Sequence, residues 1–166
     1  LDAPVVLVQH MPAGFTLSLS QRLNEISEVE VKEAQEGDIL KNGAVYIAPG
    51  GKHMRVMKKG TDYCIKLSDE PAIDGLRPCA NVMYESLENC QYDEITCVVL
   101  TGMGADGTKG IQGLAAHHKK LHVIAQDADT CVVYGMPKAI AQTGLVDEVV
   151  PLGSVAETIT KNVGVS

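Results

Sequence analysis

The stretch that most constrains this chain is residues 95–110, ITCVVLTGMGADGTKG. An apolar run (Ile95, Cys97, Val98, Val99, Leu100) feeds a glycine-rich corner, and a helical pattern follows. Gly102, Gly104 and Gly107 allow a turn too tight for residues that carry a Cβ. Asp106 sits where the corner becomes a helix. Corners of this kind lie at the C-terminal edge of a parallel sheet, where open α/β folds hold their ligands. Two readings compete. Gly102-x-Gly104-x-x-Gly107 matches the dinucleotide fingerprint, with Asp127 lying 20 residues beyond Gly107, which would make the chain a dinucleotide-binding module. The other reading makes Asp106 a catalytic carboxylate and the Met103 amide an anion-binding donor. Charge favours the second. A fingerprint loop offers bare N–H groups to pyrophosphate, and Asp106 would set a negative charge beside them.

The remaining pattern repeats the strand–helix alternation. Residues 4–8, PVVLV, form a continuous apolar run, as expected of a strand buried on both faces. It ends in Gln9-His10-Met11-Pro12, which puts His10 at a strand's C-terminal end. Leu17, Leu19 and Leu23 predict a helix over about residues 14–24, and a strand follows over 29–34. A strand over 44–48 closes in Pro49-Gly50-Gly51. Residues 54–57 and 63–67 then alternate across Lys58-Lys59-Gly60-Thr61 as an antiparallel hairpin. Pro78 suits a helix N1 position, and Val82, Met83, Ser86, Leu87 and Cys90 share one face of a helix reaching about residue 91.

After the corner, a helix over 107–117 buries Ile111 and Leu114, and a strand covers 122–125. A long connection, 126–136, leads to a short helix from Pro137. The last strand spans 146–150, and Ser154 can cap a final helix. The predicted fold is therefore α/β: a doubly wound, mostly parallel sheet with helices on both faces and an appended antiparallel hairpin. At 166 residues, with no linker, repeat or low-complexity segment, one domain over 1–166 is the economical organisation.

Composition excludes several classes. A net charge of −7 disfavours nonspecific binding to nucleic acid or acidic membranes. No apolar run approaches the ~20 residues of a membrane span. The five cysteines are an odd number with no CxxC pair, which fits reduced thiols in a cytoplasmic protein.

Strand ends thus collect His10, Asp106 and the 126–136 connection. An Asp that holds one imidazole nitrogen fixes the tautomer and leaves the other nitrogen to take a proton from a nucleophile. Each residue also has an ordinary role: a hydrogen-bonded strand-end histidine, and an acid favoured at a helix N-terminus. No serine sits in a GxSxG elbow, and Ser18, Ser20, Ser27, Ser86 and Ser154 read as structural. Cys79, at a helix start, and Cys131, on the connection, could each serve a Cys–His hydrolase, but inert buried thiols are the simpler reading. His117, His118 and His122 lack an acidic or cysteine co-ligand, and a solvated helix end explains them better than a metal site.

Four segments in order, VVLVQHMPAGFT (5–16), GAVYIAPGGKHM (43–54), VVLTGMGADGTKG (98–110) and IAQDADTCVVYGMPKAI (124–140), resemble the chemotaxis receptor methylesterase family, in particular the C-terminal catalytic domain of CheB protein-glutamate methylesterases. The resemblance runs over nearly the whole chain. It implies a Ser-His-Asp triad that hydrolyses glutamate γ-methyl esters on the cytoplasmic helices of methyl-accepting chemotaxis receptors, with glutamine deamidation as a second activity. The QHMP motif assigns the triad histidine to His10, and TGMGxDG assigns the aspartate to Asp106, with the Met103 amide as an oxyanion donor. No cofactor, metal or nucleic acid is implied. The family's serine lies upstream of QHMP, on a turn this chain does not contain. The expectation is a truncated domain lacking its first strand and nucleophile turn, and inactive alone. A non-catalytic receptor-binding relic is the alternative. A receiver domain with its histidine kinase regulates many members of the family.

Overall fold

The computed structural model describes residues 1–117 and 119–166. The chain forms two compact units, Leu1–Cys90 and Gln91–Val165; Ser166 groups with the first, where its hydroxyl bonds the Asp2 carboxylate.

In the first unit, β1 (Val5–Leu7) leads into α1 (Phe15–Ile26), then β2 (Glu30–Glu33) and β3 (Ala44–Ile47). These strands form a parallel sheet in the order β1-β3-β2, with Val5 opposite Val45 and Val31 opposite Val45 on the other side. The central strand β3 carries the burial: Ala44, Tyr46 and Ile47 are buried. Val5, Val6 and Leu7 are only half-buried, unlike the two-faced burial expected of that run. The physical reason is position, since β1 is an edge strand of its sheet. An antiparallel hairpin follows, β4 (His53–Lys59) with β5 (Asp62–Ser68), in the register Val56 opposite Ile65.

Helix α2 (Ala80–Glu85) is shorter than its apolar face predicts. Cys79, in an extended conformation, is the N-cap, so Pro78 lies before the helix rather than at N1. At the far end the Ser86 hydroxyl reaches back to the Met83 carbonyl (2.6 Å), and Leu87 and Glu88 bond three residues back, to Tyr84 and Glu85. Such local side-chain bonds compete with continuation of the helix. The same Ser86 oxygen accepts the Val56 amide at 2.9 Å, fastening α2 to β4.

The second unit is a second parallel sheet in the order β6-β7-β8 (Ile95–Val99, Leu121–Gln126, Glu148–Val150). The central strand β7 is the apolar core: Val123, Ile124 and Ala125 are buried, and Val99 pairs with Ala125. Helix α3 (Thr108–Ala116) buries Ile111 and Leu114 completely. Helices α4 (Met136–Ala141) and α5 (Val155–Val163) complete the unit. Pro137 occupies the first turn of α4 as its lost N–H allows. Ser154 is the N-cap of α5, but its hydroxyl makes no capping bond. The architecture is mixed α/β with mostly parallel strands and one appended antiparallel hairpin.

Candidate active site

Met103 and Asp106 share the corner between β6 and α3. Asp106 is buried, one residue before the α3 N-cap, Gly107, whose φ of +97° is a conformation that suits glycine. Met103 is 81% exposed. The backbone donors of this corner can be followed one by one. The Thr101 N–H donates to Gln126 Oε1 at 2.8 Å, and the Gly102 N–H to the Val133 carbonyl at 3.0 Å. The Met103 N–H comes next and has no acceptor among the described residues. It is left available for a negatively charged oxygen.

The corner is clamped by the segment after β7. The Gly102 carbonyl accepts from the Gly135 and Met136 amides at 3.1 and 2.8 Å. The Thr101 hydroxyl both donates to the Val133 carbonyl and accepts from the Val133 amide, each at 2.9 Å. At the root of the clamp lies Gln126, 1% exposed. Its Oε1 takes the Thr101 amide, and its Nε2 donates to the Thr130 carbonyl (2.9 Å) and hydroxyl (3.2 Å). The Thr130 hydroxyl donates to Asp127 Oδ1 and accepts from the Leu152 amide. Sequence reasoning assigns no role to Gln126, Thr101 or Thr130. The one available signal is a polar residue closing an apolar strand, followed by an Asp-x-x-Thr turn.

This arrangement counts against a dinucleotide loop. The Thr101 and Gly102 amides are bound to protein, and Asp127, the would-be ribose ligand, is engaged by the Thr130 amide and hydroxyl at 3.0 and 2.5 Å.

His10 lies in the first unit, on the exposed loop after β1. The loop is held by close packing. A Cβ placed on Gly50 would stand 2.5 Å from the Met11 and Pro12 carbonyl oxygens, so only glycine lets the Pro49-Gly50-Gly51 turn lie against this loop. The Gly50 amide donates to the buried Thr16 hydroxyl (2.9 Å), which itself donates to Glu33 Oε2 (2.6 Å). Thr16 thereby joins the start of α1, the end of β2 and the turn beneath the histidine loop.

The other candidates have structural occupations. Cys97 is fully buried, and burial first, then the Asp147 charge, pushes its thiol up to about 12. Cys79 is buried, Cys131 is half-buried, and none of the five cysteines forms a disulfide. The Ser20 hydroxyl donates to the Leu17 carbonyl of its own helix. His117 Nδ1 donates to the Gly113 carbonyl (2.8 Å), and His122 Nε2 meets Glu148 Oε2 at 2.6 Å. His118 lies outside the described residues. Among the described residues no group of three or more His, Cys, Asp or Glu could hold a metal ion, and no helix is long and apolar enough to cross a membrane.

Comparison with known proteins accords with these motifs. The CheB methylesterase family profile matches residues 1–159. A protein-glutamate methylesterase/protein-glutamine glutaminase of Oceanobacillus iheyensis is 47% identical over 162 residues, covering 97% of this chain and 46% of that protein. One from Desulfotalea psychrophila is 44% identical over 165 residues, covering 98% and 45%. The chain thus spans a little under half the length of these curated relatives. The crystal structure of the Thermotoga maritima CheB methylesterase catalytic domain superposes with a TM-score of 0.90 at 39% identity, covering 96% of this chain and 83% of that one. The chain belongs to the CheB methylesterase family.

Proposed function

We propose that this chain supplies the base, the orienting acid and an oxyanion donor of a Ser-His-Asp esterase. Its substrates are glutamate γ-methyl esters on the cytoplasmic helices of chemoreceptors. The observation that carries the reading is the unengaged Met103 N–H between two glycines, in a corner whose preceding amides are bound. The names of the relatives supply the substrate class.

On this reading the nucleophile is a serine upstream of Leu1. His10 takes its proton, and the serine oxygen attacks the ester carbonyl. The Met103 N–H receives the resulting oxyanion. Asp106 holds the imidazole in the required tautomer and stabilises the imidazolium. Methanol leaves with the proton from His10. Water, deprotonated by His10, then cleaves the acyl-enzyme and regenerates serine and a free glutamate. A glutamine side chain follows the same route with ammonia as leaving group, which accounts for the glutaminase half of the relatives' names. The reaction needs no metal or cofactor. The partners are the receptors and, in the complete protein, a receiver domain with its histidine kinase.

The test is methanol release from methylated receptor membranes. The complete protein that carries this chain turns over ester, and His10→Ala lowers kcat by about 10⁴-fold or more. The 166 residues alone release none. Ester turnover by those residues that disappears in His10→Ala would overturn the upstream serine. Full activity of His10→Ala in the complete protein would overturn the mechanism.

A further inference from the structure

We infer that Gln126 is a positioning residue of this site, setting where the Met103 N–H lies; the inference rests on the esterase reading above. Its side-chain amide is buried, with its oxygen on one side of the clamp and its nitrogen on the other. Oε1 fixes the Thr101 N–H, two residues before Met103. Nε2 donates to the Thr130 carbonyl and hydroxyl. Thr130 belongs to the segment whose Val133, Gly135 and Met136 hold Thr101 and Gly102. One amide therefore ties both ends of the corner's support to the end of the central strand β7. An oxyanion donor is useful only where its N–H meets the oxygen of the tetrahedral intermediate, and a displaced donor acts like a missing one.

No other side chain makes all three bonds. Glutamate keeps an acceptor for Thr101 but loses both donors and faces the Thr130 carbonyl with a carboxylate. Methionine keeps the volume and loses all three, leaving a Thr101 N–H without its acceptor. The Gln126 side chain touches no reacting atom. Its effect passes through the backbone, so it appears in the rate of the chemical step rather than in substrate binding.

The experiment compares Gln126→Met and Gln126→Glu with wild type in the complete protein, on methylated receptor membranes. Gln126→Met is expected to lower kcat by about 10²-fold, with KM within about threefold, as for loss of an oxyanion donor. Gln126→Glu, which keeps the Thr101 bond, loses about tenfold. The pH midpoint of kcat/KM stays at the wild-type value, because the base is untouched. A folded Gln126→Met with kcat within twofold of wild type, or with KM raised and kcat intact, overturns the inference. If that variant does not fold, Gln126→Glu decides by the same criteria. A wild-type protein that releases no methanol rejects the esterase reading instead. The clamp is then judged by hydrogen exchange at the Thr101 amide, which should quicken in Gln126→Met; an unchanged rate overturns it.

Discussion

Two glycines decide how closely backbone can pack around the candidate residues, and neither does so through an unusual φ. Gly135 lies at φ −80°, a conformation any residue adopts, but a Cβ there would sit 2.7 Å from the Gly102 carbonyl and 2.9 Å from the Gly104 nitrogen. Gly50 faces the Met11 and Pro12 carbonyls in the same way. At Gly102, by contrast, the clash is with the Met136 side chain, which can rotate away. Gly135→Ala and Gly50→Ala should each cost about 1–3 kcal/mol in urea denaturation, the usual penalty for overpacking. Gly102→Ala should cost less than either. A Gly135→Ala protein as stable as wild type would mean that the segment after β7 is not pressed against the corner. These constraints were half legible in the sequence. The glycines invite a tight turn, but only the fold reveals which of them faces backbone.

At the scale of elements, the second unit ties its sheet together at the surface. His122 on β7 meets Glu148 on β8, and Asn162 of α5 donates to the same Glu148 oxygen at 3.3 Å. The His122 hydrogen bond, followed by that of Asn162, outweighs desolvation and holds the Glu148 carboxyl below its ordinary 4.5. A carboxyl depressed in the folded state adds stability above its unfolded pKa, and that stability is lost as pH falls through the folded value. Glu148→Gln should therefore melt below wild type at pH 7, and the gap should close as pH drops below about 4.5. Glu36 and Asp69 are also held low, by the Leu67 amide and Lys66 and by Lys52, but both proteins carry them and the difference cancels. A gap that persists unchanged at pH 3 would assign the effect to packing.

The elements were mostly legible because periodicity reports burial. The β7 run, the corner and the hairpin all came from local pattern. What failed was set by strand order and by side-chain hydrogen bonds, which periodicity does not report. The half-burial of β1 follows from its edge position, the early end of α2 from Ser86, and the clamp on Thr101 from a residue 25 positions later in the chain.

For the whole molecule, the candidate residues are divided between two compact units that follow one another in sequence: His10 on the loop after β1 of the first, Met103 and Asp106 on the corner after β6 of the second. Each unit carries its own parallel sheet, and each candidate lies past the C-terminal end of a strand, where parallel sheets place reactive groups. The proposed triad makes a quantitative demand on this division. If Asp106 acts only through the imidazole of His10, then Asp106→Asn should reduce kcat by about 10⁴-fold in the complete protein, because the wrong tautomer is held. In a His10→Ala background the same substitution should cost almost nothing, since there is no base left to orient. Independent contributions would instead multiply, with the double variant slower than either single one by the full product of the two losses. Non-additivity in kcat, with each single variant retaining wild-type melting behaviour, assigns the two residues to one proton-transfer unit. Additive losses would divide them, leaving Asp106 the ordinary role of an acid before a helix N-terminus.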